Sequence, residues 1–436
     1  MSVYLKQFST HAEYEQYING SGVILPNVSI CTTEGDVHYN PYVPHDYSQD
    51  YFTMVVTSGG DIKWSGSTTA NTLSYSKDNG DNWSVVTSAD TISVAEGDKI
   101  LWKGTPTPQT SYPGNGIGKF SGATNVRYSV EGNAMSLLYD DGFKGEISLE
   151  GKNYALRGLF SGNTNVTSAE NLSLPATTLA DYCYSQMFSG CTNLTTAPSV
   201  LPATTLAISC YSDMFQGCTS LTTAPELPAT TLASSCYYGM FSGCTSLTTA
   251  PSVLPATTLP EICYQSMFQG CTSLTTAPEL LATTLASGCC SVMFNGCTSL
   301  TTAPSVLPAT TLATSCYSAM FRGCTSLTTA PELPATTLTN QCYTNMFSGC
   351  TSLTTAPELP ATTLVTWCYK NMFKSCASLN YIKAMFTTTP SSSYMEDWVS
   401  GVASSGTFVK NAAATWTSRC GTSTYPCNWT VETASS

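Results

Sequence analysis

"CTSLTTAPELPATTL", Cys218 to Leu232, returns almost letter for letter from Cys324 and from Cys350, and close variants open at Cys191, Cys244, Cys271 and Cys297. Self-similarity of this kind outranks every other signal, because an array of repeats has to be read as one object. A Met-Phe pair marks each copy: Met187, Met214, Met240, Met267, Met293, Met320, Met346 and Met372, spaced by 26 or 27 residues. The extra residue comes from "APSVLP" alternating with the shorter "APELP". A worn copy, "LRGLFSGNTNVTSAENLSLPATTL" (Leu156 to Leu179), precedes the others and carries Asn163 where they carry cysteine.

A unit of this length cannot fold alone. Its five or six large apolar side chains contribute roughly 1.5–3 kcal/mol each, whereas ordering the unit costs roughly 1.5 kcal/mol per residue. Stacking turn on turn closes the gap, so the array is a solenoid. About nine turns at roughly 4.8 Å each give a rod about 40 Å long. Within a turn, "LTTA" suits a short strand that stops at proline, and "PATTL" is a second extended stretch. In "CYSQMF" (Cys183 to Phe188), Cys183 and Met187 stand four apart, as do Tyr184 and Phe188. That spacing predicts one short helical turn, which Gly190 then ends.

On these residues, "MFSGCTSLTT…LPATTL…CY", the chain resembles the BspA-like leucine-rich repeats of bacterial surface proteins. The resemblance covers about half the chain and implies binding or display rather than catalysis. The copies depart from the ordinary leucine-rich pattern in having no L-x-L step and no regular asparagine ladder.

Of the chain's 20 cysteines, 16 form pairs eight apart: Cys183/Cys191, Cys210/Cys218, Cys236/Cys244, Cys263/Cys271, Cys289/Cys297, Cys316/Cys324, Cys342/Cys350 and Cys368/Cys376. Cys290 replaces the usual tyrosine, and Cys31, Cys420 and Cys427 lie outside the array. Disulfide scaffolds belong to small domains without a core, and zinc knuckles need closer spacing with histidine. The repeat cysteines therefore read as a ladder of small buried hydrophobes. Cys420 and Cys427 could close a hairpin disulfide.

The rest of the chain is read from composition and pattern. Lys and Arg number 16 against 28 Asp and Glu, a net charge of −12, with only 10% of residues charged. No basic face for phosphate exists, which excludes nucleic acid. No run of about 18 apolar residues exists to insert into a membrane. The start, "MSVYLKQFSTHAEYEQYING", shows no charged-then-apolar export signal. Residues 51–150 alternate apolar and polar between Gly, Asn and Asp turns, as an immunoglobulin-like β-sandwich does. Within it "SKDNGDNW" (Ser76, Asp78, Gly80, Trp83) fits an S-x-D-x-G-x-x-W Asp-box, which is read as a structural hairpin turn.

The expected organisation is thus mainly β with short helical turns. An anchoring segment (1–50) precedes the β-sandwich (51–150), the solenoid (151–380) and a C-terminal cap (381–436). The three histidines, His11, His38 and His45, lie near the N-terminus with no nucleophile elbow or metal spacing beside them. No catalytic residue, cofactor or metal is assigned. Glu226, Glu279, Glu332 and Glu358, the acids of "PEL", read as a solvated edge.

A second resemblance concerns "LPNVSICTTEGDVHYNPY" (Leu25 to Tyr42), which is similar to a segment near the start of virion structural proteins of tailed, crAss-like phages. It implies a virion protein made in host cytoplasm. The N-terminal segment would dock to other virion proteins, the sandwich would act as spacer, and the solenoid would bind a host-surface glycan or protein. The alternative is a bacterial BspA-like surface adhesin, and a homo-oligomer stays open in either case. The threonine ladders also prompt an ice- or lattice-binding reading, although strand propensity accounts for them. Comparing the copies with one another, variation gathers around "CY" and after "MF". That pattern nominates Tyr182, Tyr238, Glu261, Arg322, Trp367 and Lys370 as partner-binding residues.

Overall fold

A computed structural model describes residues 45–66, 73–108, 116–416 and 420–434, together with two short strands nearer the N-terminus. Packing divides the chain into two units, Met1–Asp46 and Tyr47–Ser436. In the first, β1 (Ser29–Cys31) and β2 (Val37–Tyr39) pair antiparallel, Ile30 opposite His38. Most of the Leu25–Tyr42 segment and all of His11 lie outside the described residues.

The second unit begins with two antiparallel sheets. One contains β3 (Phe52–Ser58), β5 (Leu73–Ser76), β6 (Ser84–Val85), β8 (Lys99–Gly104) and β10 (Arg127–Asn133), in the order β10-β3-β8-β5-β6. The other is β7 (Thr91–Val94), β4 (Gly60–Gly66) and β9 (Gly118–Gly122). Burial alternates along β7, β8 and β10, the period of two that a half-buried strand requires. Trp64 and Trp102 pack on Phe120 with centroids at 4.7 and 4.8 Å. Trp64 also lies over Gly118, where a Cβ would run into its ring.

The larger sheet does not stop at the sandwich. β10 pairs in parallel with β11 (Val166–Ser168) and β12 (Leu172–Ser173), both in the first repeat. The sandwich and the first coil therefore share backbone ladder and core, which goes beyond the spacer expected from sequence.

Each coil then carries three parallel ladders to its neighbours. "LTTA" pairs through contacts such as Thr223 with Thr249 and Thr276 with Thr302. "PATTL" pairs as Thr205 with Thr231, and as β14 (Thr258–Leu259) with β16 (Thr284–Leu285). A third ladder, between them, joins β13 (Val253–Leu254) to β15 (Glu279–Leu280). The solenoid ends in the parallel sheet of β17 (Tyr381–Ala384), β18 (Thr407–Lys410) and β19 (Thr430–Thr433).

"CYSQMF" is not helical, contrary to its spacing. The amides of Ser185, Met187, Ser189 and Cys191 bond three residues back, to the carbonyls of Tyr182, Tyr184, Gln186 and Phe188. The intervening amides of Tyr184, Gln186, Phe188 and Gly190 cross to Cys210, Ser212, Met214 and Gln216 of the next coil. Tyr182, Gln186 and Gly190 have φ of 58°, 56° and 74°. The segment is a run of β-turns, with the positive φ that alternate turns demand falling at every fourth residue. A four-residue period mimics the 3.6 of a helix in sequence while leaving half the amides free to bond sideways.

Inside, side chains repeat in ladders. Phe160, Phe188, Phe215, Phe241, Phe268, Phe294, Phe321, Phe347 and Phe373 stack in sequence, neighbouring centroids 5.3–5.7 Å apart. Tyr184, Tyr211, Tyr237 and Tyr264 make a second stack, which resumes at Tyr317 beyond Cys290. Trp398 closes both, at 6.1 Å from Tyr369 and 5.9 Å from Phe373.

Candidate binding surface

Every repeat cysteine is buried and unbridged. The second of each pair has a partner that sequence reasoning did not foresee. Cys191, Cys218, Cys244 and Cys271 donate their thiols to the carbonyls of Phe160, Phe188, Phe215 and Phe241, one coil back, with sulfur to oxygen at 3.0–3.1 Å. The same contact continues from Cys297, Cys324, Cys350 and Cys376. Burial pushes the thiols of Cys183, Cys236, Cys244, Cys297, Cys316 and Cys376 up to about 12 from 9.0. Held protonated and away from water, such thiols are poor nucleophiles. Among the described residues no group of three His, Cys, Asp or Glu is placed to hold a metal ion.

With the interior filled, the exposed side chains of the repeats lie on the threonine faces and on the turn ribbon. The threonine faces are exposed, and along "CTSLT" several hydroxyls bond back to the preceding coil. Thr195, Thr248 and Thr301 donate to the carbonyls of Thr167, Thr222 and Thr275 at 2.9, 3.2 and 3.1 Å. Thr245 and Thr272 do the same toward Thr219 and Thr245.

The turn ribbon is the other face, and all six nominated residues lie on it. Tyr182 is half-buried and stacks flat on Tyr154, with centroids 4.8 Å apart. Tyr238 is also half-buried; Glu261 and Arg322 are exposed. Trp367 is 39% exposed at a φ of 52°. The Lys370 ammonium sits 4.5 Å above the Trp367 ring and 2.7 Å from Glu396. The fold brings Trp367 and Lys370 together and adds Glu396, with Lys374 and Asp397 paired beside them at 3.2 Å. Tyr182, Tyr238, Glu261 and Arg322 stand on separate coils, so the nominated residues form a line rather than one pocket.

A polar line near the ribbon's other end escaped the sequence reading. Arg157 donates to Gln186 Oε1 at 3.1 Å, and Ser212 donates to Asp213 Oδ2 at 3.2 Å. Burial raises the Asp213 carboxyl, while bonds from Ser212 and Gln186 and the charge of Arg157 oppose the shift. Asp213 lies over Gly239, where any Cβ would collide with its carboxylate. The missed signal was register: Gln186, Asp213 and Gly239 hold the same place in successive copies.

The Asp-box in the sandwich is closed on itself. Ser76 donates to Asp78 Oδ1 at 2.7 Å, Gly80 N to Ser76 Oγ at 2.9 Å, and Asn82 N to Asp78 Oδ1 at 2.9 Å. Those bonds, the Ser76 hydroxyl foremost, hold Asp78 down at about 2. Trp83 packs against Tyr51 at 5.1 Å, with Lys103 above its ring at 4.5 Å. This is a turn, as read.

Against known proteins, residues 181–302 and 290–396 match the BspA type leucine rich repeat region, in six copies. No curated protein matches the chain. A leucine rich cell surface protein of Faecalibacterium prausnitzii A2-165 is similar in structure, with 21% identity over 50% of this chain and 64% of that one, at a TM-score of 0.27. A leucine-rich repeat protein of Bacteroides ovatus ATCC 8483 shows 16% identity over 58% of this chain and 81% of that one, at a TM-score of 0.18. The chain thus spans less than two thirds of the Faecalibacterium protein's length. No helix among the described residues is long and apolar enough to cross a membrane.

Proposed function

We propose that this chain is a non-enzymatic surface-display protein whose BspA-type repeats carry a binding face along the turn ribbon, directed at a cell-surface glycan or protein. One observation carries the reading. On the ribbon, side chains differ from copy to copy while backbone hydrogen bonds hold their spacing. On the threonine faces, the side chains repeat, and several along "CTSLT" bond back to their own solenoid. Trp367 is the exposed aromatic of the ribbon, and aromatic residues are enriched where partners bind.

The BspA-type match favours display on a bacterial surface. The virion reading rests on the Leu25–Tyr42 resemblance alone and is the second candidate. Immunogold labelling of producing cells and of purified particles separates the two locations.

The face is tested by substitution. Trp367→Ala with Lys370→Ala, and separately Tyr238→Ala, should weaken attachment to target cells about tenfold or more while moving the melting temperature by only a few degrees, the scale of a loss near 1 kcal/mol in a chain this large. Attachment untouched by these changes but abolished by Thr→Lys on the "LTTA" face would place recognition on the threonines instead.

A further inference from the structure

Among the described side chains, the cysteines fall into two chemical classes. Those of the repeats are buried free thiols, whereas Cys420 and Cys427, both exposed, are joined in a disulfide with Cα atoms 5.0 Å apart. What that bond encloses is the cover of the last coil. Asp397 N bonds Ser423 Oγ at 3.2 Å, Val399 N bonds Thr422 O at 3.3 Å, and the Trp398 indole donates to Thr424 O at 2.8 Å. Thr422 Oγ1 returns a bond to Asp397 Oδ1 at 3.0 Å, and Gly421 N closes the loop on Tyr425 O at 2.9 Å. Tyr425 lays its ring against Phe408 at 5.8 Å and Trp416 at 6.1 Å.

Elsewhere in the solenoid these alternate amides are taken by the following coil: Asn371 N by Glu396 O, Phe373 N by Trp398 O, Ser375 N by Ser400 O. After Trp398 the chain passes through β18 into this loop, which takes the place of the next ribbon before β19. It is too short to have a core of its own and has few buried side chains.

We propose that the Cys420–Cys427 loop is a redox-dependent latch, closed over the solenoid's C-terminal end in oxidising surroundings and loosened by thiol reductants. Opening is two successive thiol–disulfide exchanges with one dithiol, through a mixed disulfide. The Cys420–Cys427 bond takes two electrons and two protons to become two thiols, and the dithiol becomes a cyclic disulfide. An exposed disulfide is the kind such exchange reaches, while the buried repeat thiols stay out of it. Closing so short a loop shifts the closed-to-open ratio by roughly fiftyfold in the chain-entropy account.

The test is amide hydrogen exchange on the full chain with and without dithiothreitol. Reduction should speed exchange at Asp397, Val399 and Gly421 at least tenfold and leave Phe321 and Phe347 unchanged. A Cys420→Ser, Cys427→Ser variant should exchange fast at the same three amides whether or not reductant is present. Unchanged exchange at Asp397 and Val399 on reduction would overturn the latch, as would acceleration spread evenly over the coils. The wild-type comparison stands alone should the double variant fail to fold.

Discussion

A cysteine at the repeat's opening position does two jobs that few other side chains combine. It fills a fully buried site, and its thiol reaches the Phe carbonyl of the preceding coil. That carbonyl already takes one amide, as Phe215 O takes Cys218 N at 3.1 Å, and the Cys244 thiol adds a second bond at 3.0 Å. The contact is weak singly, as S–H donors are, but it recurs at every coil. Asn163 in the worn copy confirms the role with a stronger donor, its Nδ2 reaching Phe120 O at 3.0 Å. The same burial sets a pH limit. Cys244 and Cys297 stand at about 12 when folded against 9.0 ordinarily, so folding favours the protonated form. That contribution is complete below pH 9 and is lost as pH climbs through about 12, because the unfolded chain ionises first. Thermal melts should hold steady from pH 7 to 8.5 and fall steeply above pH 9.5. A melting temperature flat to pH 11 would show that the thiols are reached by water.

At the scale of the element, the turn ribbon explains which residues each copy tolerates. Three positions per coil take positive φ, and Gly190, Gly217, Gly243, Gly270, Gly296, Gly323 and Gly349 occupy the last of them. The middle one is freer and holds Gln186, Asp213, Ser266, Asn345 and Asn371, but also Val292, a β-branched residue at 62°. Such a residue costs roughly 1–2 kcal/mol in the left-handed region, and asparagine is among the few that accept it. Val292→Asn should therefore raise stability by about 1 kcal/mol in denaturant melts. A loss of stability would mean that the Val292 side chain contributes more by packing than its backbone costs. Alternation of the longer and shorter copies has a physical reading as well. Val200 pairs with Glu226, Val253 with Glu279 and Val306 with Glu332, so carboxylates on successive coils are kept apart. Where the alternation lapses, at Glu332 and Glu358, Lys383 stands 3.0 Å from Glu358.

For the whole molecule, the sandwich is the first rung. Phe120 of β9 stacks on Phe160 at 5.5 Å, its amide bonds Leu159 O at 2.9 Å, and its carbonyl takes the Asn163 amide. These are the contacts each later Phe makes with its neighbours. A solenoid must have its ends covered to stay soluble, and here a folded β domain does it. Removing residues 1–46, a separate unit, should leave the melting curve of the remainder unchanged. Removing residues 1–150 should expose Phe160 and the open edge of β11 and β12, giving aggregation or a melting temperature lower by ten degrees or more. Equal melting of the two truncations would reduce the sandwich to a spacer.

Periodicity is a property of sequence, so the solenoid, its unit length, the inward Cys, Tyr, Met and Phe and the alternating strands of the sandwich could be read directly from the order of residues. Whatever depended on contact between one copy and the next could not. The four-residue spacing of Cys183, Met187, Tyr184 and Phe188 fits a helix and a run of turns equally, and only amides crossing to the next coil choose the turns. The thiol bond to a Phe carbonyl joins residues 29 to 31 positions apart. Trp367 and Lys370 were nominated separately, by drift among the copies, yet the contact of Lys370 with Glu396 depends on the coil that follows. The capping role of the sandwich lies in the approach of Phe120 to Phe160. Local pattern carries what each residue needs from water and backbone; which partner satisfies it is settled when the coils stack.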